Sequence, residues 1–307
     1  MLAQVRYLPP KPGRSNAPEE YQKLGRQAVP VGEGSVNRIG GQLNLQMNRT
    51  KHNQAQAHSK CNAMITENGG GRRDSSLYTN GSRLLHFVMQ RIGHLPVLRQ
   101  TYNRLSLTRY RHKSRRQLEI GPGTFRISGF ETLNITGGPL VDYVADASLP
   151  LPLPDETYDL IYASHVLEHI PWFKTGDVLK EWVRKLKPNG KLELWVPDGL
   201  KIAEAFVFAE TAQSRKWEED NWFRFNETKD ACVWAAGRFF TYGDGTTNIA
   251  HPNWHRAIFS PRWLELCLKQ SGLVQVRRLS GNEIRGASHG WINLGYEGTK
   301  PGSRMDV

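Results

Sequence analysis

Leu118-Glu119-Ile120-Gly121-Pro122-Gly123 reads as a short apolar strand running into a two-glycine turn. Glycine lets a backbone approach a ligand closely, and the free amides of such a turn favour an anion. Glu119 can accept from those amides or from a ligand's amino group. The dinucleotide fingerprint G-x-G-x-x-G is absent because position 126 is Arg, which argues against a nicotinamide enzyme. Downstream, strand and helix patterns alternate. Strands are expected at 132–135, 141–144, 158–163 and 191–196, and again at 273–279 and 291–296. Val178, Leu179, Trp182, Val183 and Leu186 stripe one side of a predicted helix over 175–186, which Lys187-Pro188-Asn189-Gly190 ends. A further helix is expected over 261–270. Elements of these lengths imply a mostly parallel sheet with helices on both faces, where ligands bind beyond the carboxyl ends of the strands.

Upstream of the turn the composition changes. The chain has 307 residues and a formal net charge of +12, and that charge is unevenly placed. Residues 1–117 carry 20 Lys/Arg against 5 Asp/Glu, whereas 118–307 carry 21 against 24. The stretch 1–78 is rich in Gln, Asn, Gly, Pro and Arg and shows no apolar period, so it reads as a disordered basic leader. Residues 79–116 carry apolar residues at helical spacing decorated with arginines. They are expected as amphipathic helices that dock on the following domain or lie at an anionic membrane surface. The run from Arg109 to Arg116 suits phosphate, but no RNA-binding motif accompanies it. Three scattered cysteines, Cys61, Cys232 and Cys267, form neither a disulfide framework nor a thiolate zinc site. No apolar run is long enough for a transmembrane helix and no secretory signal is recognisable, so a cytoplasmic protein, or one peripheral at a membrane, is expected.

Read together, the segments from 118 to 198 closely resemble class I S-adenosylmethionine-dependent methyltransferases, especially the small bacterial group with a shortened first crossover. Leu118 to Gly123 resembles their first motif, Val144-Ala145-Asp146-Ala147 the acidic segment beside the adenine, and Leu151 to Ile161 their "LPFPDNSFDLI" stretch. Ser164-His165-Val166-Leu167-Glu168-His169 resembles "SHVLEH", and Leu186 to Gly190 resembles "LKPGG". The resemblance implies a Rossmann-like, doubly wound, mostly parallel seven-stranded α/β sheet spanning 117–307, with a helical lid inserted at 205–260. It implies S-adenosylmethionine as cofactor, held by Glu119, Gly121, Gly123, Asn134, Asp146, Ala147, Ser164 and His165. Two departures stand out. Only about eight residues separate Gly123 from the next strand. Asn134 stands where the family generally ends its second strand with an acid, so one neutral oxygen replaces a carboxylate at the ribose.

Methyl transfer to a hydroxyl calls for a group that removes its proton. His165 and His169 lie just past the fourth strand, and Asp198 just past the fifth; these are the candidate catalytic residues, with helix N-capping the plainer role for Asp198. The aromatic-rich insertion, with Trp217, Trp222, Trp234, Tyr242 and Trp254, suits a lid core. Some of its rings suit a wall for a sugar or planar acceptor, with His251, Asn253, His255 and Arg256 at its mouth. His165 to His169 also matches H-x-x-E-H, a zinc hydrolase signature. That reading needs a third ligand and explains one segment where the methyltransferase reading explains five, so no metal is expected. The acceptor implied is a small molecule or a sugar or glycan, methylated at oxygen. An RNA methyltransferase and a non-catalytic S-adenosylmethionine-binding module are the alternatives.

Overall fold

The computed structural model describes residues 96–302 apart from 244, 246 and 247; the expected leader and the stretch 79–95 lie outside the described residues. Gln117–Ile120 forms the central strand β1, with Leu118, Glu119 and Ile120 buried and parallel neighbours on both edges. β2 (Glu131–Asn134) and β3 (Tyr143–Val144) extend the sheet on one side. β4 (Tyr158–Ser164) and β5 (Leu186–Pro197) continue it on the other. β7 (Asn293–Thr299) then runs antiparallel to β5, and β6 (Val274–Leu279) antiparallel to β7. The order is β3-β2-β1-β4-β5-β7-β6, a seven-stranded, mostly parallel sheet. The chain moves outward from β1 to β3 and returns on the far side of β1. The switch point therefore lies between β1 and β4, directly beyond Ile120 and Ser164, where an open sheet leaves its ligand crevice.

Helix α1 (Pro96–Tyr110) docks on the sheet edge. Tyr102 donates to the Val141 carbonyl at 2.5 Å, and Asn103 makes paired hydrogen bonds to the Val144 backbone at 3.1 and 2.9 Å. The described part of the basic amphipathic segment is thus held by the sheet. The arginine run is partly spent as well: Arg116 forks onto Glu131 at 2.7 and 2.8 Å, under the sheet rather than facing solvent.

Helix α2 (Thr175–Lys185) buries Val178, Leu179, Trp182 and Val183, each worth roughly 1.5–3 kcal/mol of transfer free energy. It packs beside α5 (Pro261–Gln270), whose Ser260 cap accepts from the Trp263 amide at 3.3 Å. Both helices cover Ile161, Ala163, Leu192, Leu194 and Val196. The opposite face buries Phe130, Leu160, Tyr162, Trp195 and Leu279, with Ile127 and Ile284 laid against them. Here the short irregular stretch after Gly123 stands in place of a full crossover helix, as its length requires. β5 begins at Leu186, earlier than the expected 191. Leu186 is buried and pairs with Tyr158, so the ladder forms before the turn, and Asn189 absorbs the bend at φ +64°. Between β5 and α5 the chain adds α3 (Gly199–Ala212) and α4 (Ala231–Phe240), which share a satellite core of Ile202, Ala205, Trp217, Trp234 and Ile292. Among the described residues, no helix is long and apolar enough to cross a membrane.

Candidate active site

The turn after β1 is held by its own backbone. The Gly121 amide donates to the Leu133 carbonyl at 2.9 Å, tying the turn to β2. Gly121 and Gly123 adopt φ of +74° and +60°, the left-handed region that side chains disfavour. A Cβ on Gly121 would stand 2.4 Å from the Val166 side chain, so a protein neighbour, and not only the close approach of a ligand, requires glycine there. At Gly123 a Cβ would meet nothing within 4 Å, leaving an open approach to the turn. Glu119 is buried behind it and accepts from the Ile127 amide at 3.2 Å. Burial pushes its carboxyl up to about 7, against the lowering pull of that amide and of Arg126.

The other expected cofactor residues sit along the same carboxyl edge. Asn134 closes β2, and its side-chain oxygen accepts from the Ile135 amide at 2.9 Å, so it is turned back onto its own chain. Asp146 follows β3 and accepts from the Ser148 amide at 2.8 Å. The Ala147 carbonyl is committed to the Trp182 indole at 3.1 Å. Ser164 ends β4 and His165 follows it at φ +55°, its amide bound to the Trp195 carbonyl at 2.8 Å. The edge fits S-adenosylmethionine at its methionine end, where a buried carboxyl and an open glycine turn stand together. The side chain expected at the ribose is instead occupied locally.

Beside this edge lies a cavity of about 320 Å³, lined by His165, Glu168, His169, His255 and His289 together with Trp222, Arg238, Tyr242 and Asn253. His165 is fixed at both ring nitrogens, Nε2 lying 2.9 Å from Asn293 Oδ1 and Nδ1 3.0 Å from Glu168 Oε1. Its ring centroid is 4.0 Å from that of His289. His169 and His255 face each other with centroids 4.8 Å apart. Burial lowers His255 and His289 to about 4, so both are neutral at pH 7. Burial would raise Glu168, but contact with His165 and the nearby His169 and His255 hold it at about 2, ionised.

Asp198 is not among the cavity-lining residues. It caps α3, accepting from the Lys201 amide at 3.2 Å, with its other oxygen 3.4 Å from Arg278. His255 and Asn253 do line the cavity, whereas His251 accepts from the Asn253 amide at 3.2 Å and shapes the loop. Sequence reasoning assigned no role to Glu168, Arg238, His289 or Asn293. Glu168 was visible inside the quoted His-Val-Leu-Glu-His run; Arg238, His289 and Asn293 are distant from it in sequence, and only the fold brings them here.

The family model for a methyltransferase domain matches residues 128–194, which run from just before β2 into β5 and include Asn134, Asp146 and the whole Ser164–His169 turn. Over these residues the chain is similar to a methyltransferase domain. A trans-aconitate 2-methyltransferase of Streptomyces coelicolor is similar over 84 residues at 32% identity, covering 27% of this chain and 27% of that protein. An uncharacterized methyltransferase-like protein of Schizosaccharomyces pombe is 41% identical over 56 residues, or 18% of this chain and 21% of its own. The chain thus spans about a quarter of the length of the curated relatives it matches. Among solved structures, a CurJ carbon methyltransferase aligns at 16% identity and a TM-score of 0.36, covering 66% of this chain and 54% of that one.

Proposed function

We propose that this chain moves a methyl group from S-adenosylmethionine to an oxygen of a small-molecule or glycan-linked acceptor seated in the histidine-lined cavity. The observation that carries the reading is the placement of that cavity. It adjoins the carboxyl ends of β4 and β5, next to the switch point where the methyltransferase domain leaves room for its cofactor. Its volume is at the small end of the range of ligand sites, roughly 300–1,000 Å³. Trp222 and Tyr242 offer rigid ring faces for a sugar or planar acceptor, and Asn253 and the imidazoles offer polar partners.

S-adenosylmethionine supplies an activated methyl group on a sulfonium. The chain's own part is alignment, exclusion of water and management of the acceptor's proton. His165, pinned at both nitrogens, is a positioning group that shapes the floor between cofactor edge and acceptor cavity. His169 and His255 hold Nδ1 toward the Trp254 and Arg238 carbonyls at 3.4 and 3.1 Å, which leaves Nε2 of each as the ring nitrogen available to the cavity.

Titration calorimetry with S-adenosylmethionine, followed by transfer of labelled methyl to fractionated small hydroxylated compounds and oligosaccharides, tests the reading. Binding with label in an alkali-stable, oxygen-linked product is expected. Absence of cofactor binding by the folded chain overturns it.

A further inference from the structure

The corner of the cavity formed by Glu168, His169 and His255 holds three metal-competent groups whose ligand atoms all lie within 4.8 Å of one another. Glu168 is 1% exposed. His165 Nδ1 lies 3.0 Å from Oε1, and Oε2 has no hydrogen-bond partner among the described residues. A buried carboxylate left this way is costly unless something completes it. The two imidazoles are set in the manner of metal ligands. Each directs Nδ1 at a backbone carbonyl, Trp254 for His169 and Arg238 for His255, which fixes the tautomer and leaves the Nε2 lone pair for a ligand.

The backbone holds the corner in place. The amides of Arg256 and Ala257 both donate to the Glu168 carbonyl, at 2.7 and 3.1 Å, and the Trp172 amide donates to the Arg256 carbonyl at 3.1 Å. His255 is thereby fixed beside a turn far from it in sequence. The positive charge lining the same cavity, Arg238, is spent on Asp220 at 2.5 Å, so the groups around Glu168 in this corner are imidazoles. We propose that Glu168, His169 and His255 form a two-histidine, one-carboxylate site for a first-row divalent transition metal such as Zn²⁺. Mixed nitrogen and oxygen donors favour such an ion over Mg²⁺ or Ca²⁺, which prefer oxygen alone. Tetrahedral zinc with bonds near 2.0–2.1 Å needs donors about 3.3 Å apart, so the side chains draw in slightly on binding. Three protein ligands leave a position open to the cavity. In its use, which rests on the methyl-transfer reading, that position takes the acceptor's oxygen and lowers the pKa of its hydroxyl, the proton leaving to solvent.

The test is made on the full chain after treatment with a chelator, titrated with ZnCl₂ by calorimetry and with CoCl₂ by visible absorption. One equivalent bound is expected, with the intense d–d bands of four- or five-coordinate Co²⁺. Glu168→Gln and His255→Ala each weaken Zn²⁺ binding by at least about tenfold, whereas His112→Ala, at an exposed histidine outside the cavity, leaves it intact. Should His255→Ala fail to fold, the wild-type Co²⁺ spectrum decides. No stoichiometric binding, a weak octahedral Co²⁺ spectrum, or unchanged affinity in the triad variants overturns the site. S-adenosylmethionine affinity measured on the same metal-free sample separates this failure from failure of the methyl-transfer reading.

Discussion

At the scale of single residues, Glu119 turns burial into pH dependence. Its folded-state pKa is raised from 4.5 to about 7 by desolvation. The native chain therefore holds this proton longer than the unfolded chain, and Glu119 subtracts stability as pH rises through that window. A ligand ammonium beside it favours the ionised form and binds weakly where the carboxyl is protonated. S-adenosylmethionine affinity is therefore expected to fall by roughly tenfold per pH unit below about 7, and Glu119→Gln to flatten the profile at a weakened value. Calorimetry across pH checks this; a flat wild-type profile removes Glu119 from the cofactor site. The residue was legible from its place at the end of an apolar strand. Its raised pKa was not, because that comes from burial in the folded chain, set against the lowering pull of the Ile127 amide and Arg126.

Among the elements, the join between β1, β2 and β4 rests on a buried ionic knot. Arg116, at the entry to β1, forks onto Glu131, which is fully buried in β2, and Tyr143 donates to the same carboxylate at 2.7 Å. Arg116→Ala leaves that carboxylate uncompensated and is expected to destabilise the domain by about 3–5 kcal/mol. Replacing both partners by apolar residues of similar size is expected to recover most of the loss. Urea unfolding of the single and double variants measures both, and a single variant within about 0.5 kcal/mol of wild type would show the knot to be idle. Of the strands joined here, β4 was readable because Leu160 to Ala163 form a continuous apolar run, as residues buried on both faces of a parallel sheet do. Their ends were harder. β3 is only two residues long, and Trp291, expected to start the last strand, belongs to the satellite core instead and stacks on Trp234 at 6.1 Å. Likewise the His-Val-Leu-Glu-His run was visible as a motif, but it does not form the α-helix that would bring His165 and His169 onto one ligand set. Leu167–His169 is a single 3-10 turn, and the third group beside Glu168 and His169 is His255, placed there by hydrogen bonds no local pattern announces.

For the molecule as a whole, charge and chemistry are separated along the chain. The excess of Lys and Arg lies before β1, while the domain that holds the cavity is close to neutral. Affinity for nucleic acid, where it exists, then follows phosphate neutralisation by the basic segment and falls steeply with salt. Under the proposed reading, methyl transfer instead depends on what enters a cavity of about 320 Å³, the size of a monosaccharide-scale group rather than of a nucleic-acid strand. On the face covered by the shortened crossover after Gly123, Ile127, Phe130 and Ile284 pack with Leu160, Tyr162 and Trp195. The full chain incubated with labelled S-adenosylmethionine and mixed cellular RNA is therefore expected to bind RNA in a salt-dependent way and leave it unlabelled. The same preparation is expected to label a small-molecule fraction at a rate indifferent to that salt. Label in RNA that disappears together with RNA binding as salt is raised would overturn the small-acceptor assignment and make the basic segment a substrate-binding element.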